Sequence, residues 1–272
     1  VSFYDLAKNG LRKAGLLPLA RRMRAGFRQV EYLPENMRYW RGKREDVPVP
    51  PLALIDLVSG QPDIPWFLLG GQRASTAIRE ALGRQDVGLK NLSNLLDFGC
   101  GCGRVLRNWS DLSGDVAVHG TDLNPRLVKW CQQHLAFARV ETNGLEPPLP
   151  FPDSYFDLVY SLSVFTHLPE HLQQRWMDEV RRVLAPSGYL VFSTHGEHSA
   201  ADLDRSERAR FAAGTLVVRA SEDAGSNACG AYHPSEYVRA TLASGFDVLD
   251  HVPQGALGNP PQDLWVLQKT DT

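Results

Sequence analysis

No apolar run in the 272 residues approaches the roughly 18 that a membrane span needs, and no signal-peptide pattern is evident. The expected compartment is therefore the cytoplasm. Cysteine is scarce: the chain has four, which do not form the paired framework of a small secreted domain. Two of them, Cys100 and Cys102, stand as C-x-C with no matching second pair, so they read as small packing residues and no metal centre is expected. There is no G-x-x-x-x-G-K-[ST] loop for a nucleoside triphosphate. Nor does any aromatic-interleaved basic patch or nucleic-acid motif appear, so no nucleic-acid partner is expected. With 43% hydrophobic residues the chain can bury a large core without disulfides.

What is present centres on Leu95-Leu96-Asp97-Phe98-Gly99-Cys100-Gly101-Cys102-Gly103-Arg104. An apolar strand reaches an acid and then three glycines at alternate positions, a pattern that lets the backbone turn with positive φ and approach a ligand. The spacing is not the G-x-G-x-x-G of dinucleotide-binding loops, since no Gly or Ala completes it. An aspartate two residues before the first glycine would repel a phosphate and attract an ammonium group. A ligand with a nucleoside and a cationic amino-acid end suits such a loop.

Asp97 to Gly103 resembles the D/E-x-G-x-G-x-G signature of the class I S-adenosylmethionine-dependent methyltransferases, and the resemblance extends in order through about residues 91–195. It implies S-adenosylmethionine as cofactor, held by Asp97, Gly99, Cys100, Gly101, Gly103 and Arg104. Asp122, nineteen residues past the last glycine at the end of a second strand, is placed over the ribose hydroxyls. Leu123 and Asn124 are implied at the adenine edge. Asn143 and Gly144 occupy the next adenine position, where Asn143 replaces the family's frequent Asp. Ser161 closes the fourth strand, with Ser163, Phe165, Thr166 and His167 near the transferred methyl group.

The element pattern predicts an α/β, Rossmann-like, doubly wound and mostly parallel seven-stranded sheet with an antiparallel C-terminal strand pair. Strands are expected at 95–98, 116–122, 138–141, 155–161 and 189–194, and the closing pair at 246–249 and 263–267. Helices are expected to start at Val105 and to cover 125–138 and 169–184, with Pro186-Ser187-Gly188 ending the last. Residues 1–46 read as a basic helical extension and 47–90 as linker and lid helices. The linker is expected to extend to Gly71, with helices at 52–58 and 73–82 and with Trp66, Phe67, Gly70 and Gln72 as lid candidates. The methyltransferase core spans 91–272. It contains a long insertion at about 197–234, including a strand at 215–219, that reads as a substrate cap.

The net charge of -2 hides an asymmetry. Residues 1–44 hold eleven Lys and Arg against Asp5, Glu31 and Glu35. Leu6, Leu16, Leu17, Leu19, Met23 and Phe27 interleave with Arg12, Lys13, Arg21, Arg22, Arg24 and Arg28, which opens a peripheral contact with an anionic membrane beside a plain solvated helical cap.

Methyl transfer to a hydroxyl needs a general base, and histidine suits it. His167 is the first candidate and His195 the second, with His198 and His233 behind them. His195, Glu197 and His198 with His233 or Asp202 also have metal-ligand chemistry, but nothing in their spacing fixes a site. Ser161-Leu162-Ser163-Val164 is not the N/D-P-P-Y/F motif of many amino-group and base methyltransferases. The expected reaction is thus methyl transfer to oxygen, secondarily nitrogen, of a small-molecule or glycan-type acceptor. A non-catalytic cofactor-binding protein and an enzyme acting on a lipid-linked acceptor are the alternatives.

Overall fold

The computed structural model describes residues 30–42, 46–258 and 260–270. The chain divides into two units, Val1–Phe67 and Leu68–Thr272. The amphipathic pattern expected over Leu6 to Phe27 lies outside the described residues.

In the first unit, α1 (Leu33–Arg41) and α2 (Leu52–Ser59) are the described helices. The buried Asn36 side chain sets α1 against the chain that follows: its Nδ2 donates to the Pro62 carbonyl at 2.8 Å, and its Oδ1 accepts from Ile64 N at 2.9 Å. The next helix, α3 (Ile64–Gly83), begins nine residues earlier than the sequence pattern predicts. Asp63 accounts for the early start, because its Oδ1 accepts from Trp66 N at 3.0 Å as an N-terminal cap does. The lid candidates Trp66, Phe67, Gly70 and Gln72 therefore stand on a helix instead of a linker. Gly71 inside it has a packing reason: a Cβ there would lie 1.9 Å from the Arg104 carbonyl oxygen.

The second unit is built on a seven-stranded sheet. Its strands are β1 (Asn94–Phe98), β2 (Ala117–Asp122), β3 (Ala138–Thr142), β4 (Phe156–Ser161), β5 (Leu184–Thr194), β8 (Phe246–Ala256) and β9 (Gln262–Lys269). Two further strands, β6 (Val217–Arg219) and β7 (Gly230–Tyr232), form a separate antiparallel pair. The order in the large sheet is β3-β2-β1-β4-β5-β9-β8. Pairing is parallel from β3 through β5, and β9 then runs antiparallel between β5 and β8. The order reverses direction at β1 and β4, so the crevice beyond their carboxyl ends is where such sheets bind ligands.

Both faces of the central strands are covered, which is why Leu95, Leu96, Leu158, Val159, Leu190 and Val191 are buried in consecutive pairs. One face packs on α5 (Glu170–Val183), whose Leu172, Trp176, Val180 and Val183 fall at helical spacing and enter the main core. Trp176 meets Phe98 with ring centroids 4.6 Å apart.

Three local expectations are corrected. The segment after the glycine loop is a 3-10 helix, Leu106–Leu112, not an α-helix. The Asn108 side chain donates to the carbonyls of Arg104 and Val105, at 3.1 and 3.2 Å, and so competes for the acceptor an α-helical turn would use. The helix α4 (Pro125–His134) stops short of residue 138. Pro186-Ser187-Gly188 does not separate helix from strand: β5 begins at Leu184, with a register irregularity between Phe156 and Leu158 of its partner and with Ser187 at φ 55°.

The insertion has a small core of its own. Leu203, Phe211 and Val217 cluster under α6 (Arg205–Ala212). Asp204 and Glu207 form a capping box at that helix, and Arg219 Nε donates to Glu207 Oε1 at 2.9 Å.

Candidate active site

At the end of β1 the glycine loop takes positive φ at Gly99, Gly101 and Gly103. At two of these positions the space a side chain would need is filled by the protein itself. A Cβ on Gly99 would lie 2.2 Å from Val164 Cγ2, and one on Gly103 would lie 2.5 Å from Leu135 Cδ1. Four of the loop's N–H groups are also committed. Those of Gly99 and Cys100 donate to the Thr121 carbonyl at 2.8 and 2.9 Å, that of Gly101 to Asp122 Oδ2 at 2.9 Å, and that of Gly103 to the Cys100 carbonyl at 3.0 Å. A loop so satisfied does not offer the cluster of free donors that cradles a pyrophosphate.

Two carboxylates flank it. Asp97 is buried, 3% exposed, and its Oδ2 has no hydrogen-bond partner. Burial pushes its pKa up to about 7, against the opposing effect of a hydrogen bond from Tyr160. The Tyr160 hydroxyl is fixed in turn by Trp109 Nε1, which donates to it at 2.8 Å. Asp122 ends β2; its Oδ1 accepts from Asn124 N at 2.8 Å. Burial raises its pKa, and the backbone donors of Asn124 and Gly101 oppose the rise.

The other expected cofactor residues have diverse placements. Arg104 is buried, and its Nη1 donates to the Gly258 carbonyl in the turn between β8 and β9. Cys100 lies beneath the loop beside Gly120 and Cys131, its thiol pushed well up by the hydrogen bond with Cys131 and by burial. Leu123 is 44% exposed at the rim. Asn124 caps α4 through its side chain, which accepts from Arg126 N at 3.1 Å. Asn143 donates to the Gly144 carbonyl at 2.7 Å and leaves Oδ1 buried without a partner. Ser161 is fully buried, and its Oγ has no partner.

Beyond β4 and β5 the structure brings His167 and His195 together, ring centroids 6.5 Å apart. His167 Nδ1 lies 2.7 Å from the Cys229 carbonyl. A carbonyl only accepts, so Nδ1 carries the proton and Nε2 keeps its lone pair. Burial lowers the pKa of His167. His195 repeats the arrangement with the Ala231 carbonyl at 3.2 Å, but its Nε2 accepts from Gln262 Nε2 at 3.3 Å. Burial, with His167 adding to it, lowers His195 to about 4. Gln262 is held by Ser163 and Ser193, whose hydroxyls donate to its Oε1 at 3.0 and 2.6 Å.

The remaining candidates point elsewhere. His233 Nε2 meets Gln173 Oε1 at 3.1 Å, and Glu197 Oε1 accepts from Ser235 N at 3.0 Å. Among the described residues no three His, Cys, Asp or Glu gather as metal ligands. Tyr160 and Gln262 are the site residues absent from the sequence reading. Tyr160 is opposite Asp97 in the β1–β4 register, and Gln262 opens β9. Only a polar group in an apolar strand hinted at either.

Residues 96–192 match the family model described as Methyltransferase domain. This chain carries a class I S-adenosylmethionine-dependent methyltransferase domain. It is 32% identical over 139 residues to ajmaline N-methyltransferase of Rauvolfia serpentina, covering 47% of this chain and 46% of that protein. It is 31% identical over 103 residues to fatty-acid O-methyltransferase of Mycolicibacterium smegmatis, covering 36% of each. The chain spans less than half the length of these relatives. In fold it is similar to S-adenosylmethionine-dependent methyltransferases from Methanosarcina mazei (TM-score 0.52, 20% identity, 69% of this chain and 96% of that one) and Mesorhizobium loti (TM-score 0.52, 21% identity, 71% and 98%).

The residues of the methyltransferase domain fit S-adenosylmethionine. The unpartnered Asp97 Oδ2 suits an ammonium group, and the paired acids with committed loop amides disfavour an anionic ligand. Asp122, at the end of the neighbouring strand, suits a ribose diol.

Proposed function

We propose that this protein transfers a methyl group from S-adenosylmethionine to an oxygen, secondarily a nitrogen, of a small-molecule or glycan-type acceptor, with His167 as the general base. The observation that carries the reading is the His167 imidazole. Its Nδ1–H is committed to the Cys229 carbonyl, no hydrogen bond engages Nε2 among the described residues, and burial keeps the ring neutral.

The cofactor supplies an electrophilic methyl group on a sulfonium. Asp97 would bind the ammonium end, and Asp122 would orient the ribose. His167 Nε2 would take the acceptor hydroxyl proton as that oxygen gains the methyl group, whose bond to the sulfonium sulfur breaks and leaves a neutral thioether. Holding both reactants in line accounts for much of the rate, on the order of 7 to 11 kcal/mol for well-oriented pairs. His195, its Nε2 occupied by Gln262, is a positioning group and not the base. The relatives' names cover N-, O- and C-methylation, so they leave the acceptor atom open.

Calorimetric titration with S-adenosylhomocysteine, for the chain and for Asp97→Ala and Asp122→Ala, tests the cofactor half. Absence of binding to the unmutated chain refutes the reading, and binding without methyl transfer to any acceptor in a metabolite screen leaves a cofactor-binding protein.

A lipid-linked acceptor at an anionic membrane surface is a second reading, favoured by α1. Its Leu33, Met37 and Trp40, at i, i+4 and i+7, are 42%, 40% and 56% exposed, while Asn36 is the residue buried. An outward apolar stripe beside a strongly basic sequence suits an interfacial helix. Sedimentation with phosphatidylcholine vesicles, with and without phosphatidylglycerol, tests it; a full chain that stays in the supernatant with both rules it out.

A further inference from the structure

The cap insertion touches both histidines through one short stretch of backbone. His167 Nδ1 donates to the Cys229 carbonyl, and His195 Nδ1 to the Ala231 carbonyl two residues on. The same stretch is pinned from the other side. Gly225 N donates to the His167 carbonyl at 2.8 Å, and His233 N to the His195 carbonyl at 2.7 Å. The backbone from Ala220 to Cys229, anchored at Gly225 and Cys229, forms a strap beside the carboxyl ends of β2 and β4.

Gly225 seats that strap. Its φ is 75°, and a Cβ there would lie 2.9 Å from both Leu123 Cδ2 and Leu145 Cδ1. Leu123 directly follows the ribose-facing Asp122, and Leu145 follows the adenine-side Asn143 and Gly144. Both leucines remain more than two-fifths exposed, so apolar surface stays at the rim for a purine to cover.

We infer that the strap Ala220–Cys229 is a lid over the adenosine side of the site, and that its closure holds His167 in the Nδ1–H form that leaves Nε2 free as the base. The inference rests on the proposed cofactor site and names how that site is regulated. Lifting the strap removes the Cys229 carbonyl from Nδ1, and the imidazole is then free to exchange tautomers and turn. Base readiness is thereby tied to enclosure of the cofactor, with Gly225 and the Cys229 carbonyl as positioning elements. His195 keeps its orientation, because β7 is held by its own ladder to β6 and Gln262 holds the other nitrogen.

The test uses the full chain with S-adenosylhomocysteine as probe. Long-range proton–nitrogen NMR of the imidazoles reads the His167 tautomer, stopped-flow fluorescence reads ligand dissociation, and hydrogen exchange reads the Gly225 amide. In the unmutated chain the expected result is the Nδ1–H form, with slower Gly225 exchange when the ligand is bound. Gly225→Val is expected to speed dissociation at least about tenfold and to let His167 average between tautomers, as a population shift toward the open strap requires. His195 is expected to stay unchanged. An unmutated chain in the Nε2–H form, a dissociation rate within about twofold in Gly225→Val, or a Gly225 amide indifferent to ligand overturns the inference. If Gly225→Val fails to fold, the tautomer and exchange measurements on the unmutated chain still decide. Failure of the unmutated chain to bind the probe refutes the cofactor reading instead, and the tautomer measurement then decides the strap's hold on His167 separately.

Discussion

Two side chains carry most of the proposed chemistry, and their environments differ from what their types suggest. His167 is held neutral by burial, so acceptor methylation should rise with pH as the ring loses its proton and level off from below 6.5 upward. His167→Gln should lower kcat by about 10² to 10⁴-fold and remove that acid limb, with S-adenosylhomocysteine affinity unchanged by calorimetry. Asp97 behaves oppositely. With a pKa near 7 it is largely protonated in the free protein below neutrality, so ligand affinity should fall about tenfold per pH unit below 7. Asp97→Asn should bind weakly at every pH and show no such slope. The linkage has a definite sign. A carboxyl raised from 3.8 to about 7 stabilises the fold at acid pH, and that contribution is lost as pH climbs to 7. Relative to Asp97→Asn, the melting temperature of the free protein should therefore decline between about pH 4 and 7 and then flatten. The identity of Asp97 was legible from its place before the glycines. Its raised pKa was not, because that comes from burial beneath segments distant in sequence, with Asp122 adding to it and the Tyr160 hydrogen bond opposing it.

At the scale of elements, the glycine loop is a packing device as well as a binding one. The alternate glycines suggest close approach to a ligand, yet at Gly99 and Gly103 the vacant positions are taken by Val164 and Leu135. Gly99→Ala should cost about 2 to 5 kcal/mol, combining backbone strain at φ 86° with overpacking. Adding Val164→Ala should recover the packing part only. Gly60, at φ 72° with nothing within 4 Å of a Cβ, separates the two effects: Gly60→Ala should cost only the strain, about 1 kcal/mol. Denaturant unfolding of the three variants checks the difference. Elements with long apolar runs or strong helical periodicity were readable, as β1, β4 and α5 were. The 3-10 turn at Leu106 and the early start of α3 were harder to read, since Asn108 and Asp63 act through specific side-chain bonds that periodicity does not register.

For the whole molecule, charge and apolar exposure coincide in the first unit. Residues 1–44 carry the basic excess, and α1 turns Leu33, Met37 and Trp40 outward. If the membrane reading holds, binding to vesicles containing phosphatidylglycerol should drop several-fold between about 0.1 and 0.5 M salt, as screening shortens. Leu33→Ser with Trp40→Ser should weaken it further at either salt, by loss of buried apolar area. Equal pelleting of this double variant and the unmutated chain would remove α1 from the contact.

The sequence by itself determined the cofactor loop, the doubly wound and mostly parallel sheet implied by the βαβ alternation, and the two acids. Those depend on residue type at short spacing, where backbone conformation and local charge act. It ranked His167 ahead of His195 only by its nearness to the end of the fourth strand. What only the tertiary structure supplies is the state of each ring nitrogen, on which the proposed choice of His167 rests. That is set by the Cys229 and Ala231 carbonyls of the cap and by Gln262 of β9, tens of residues away along the chain.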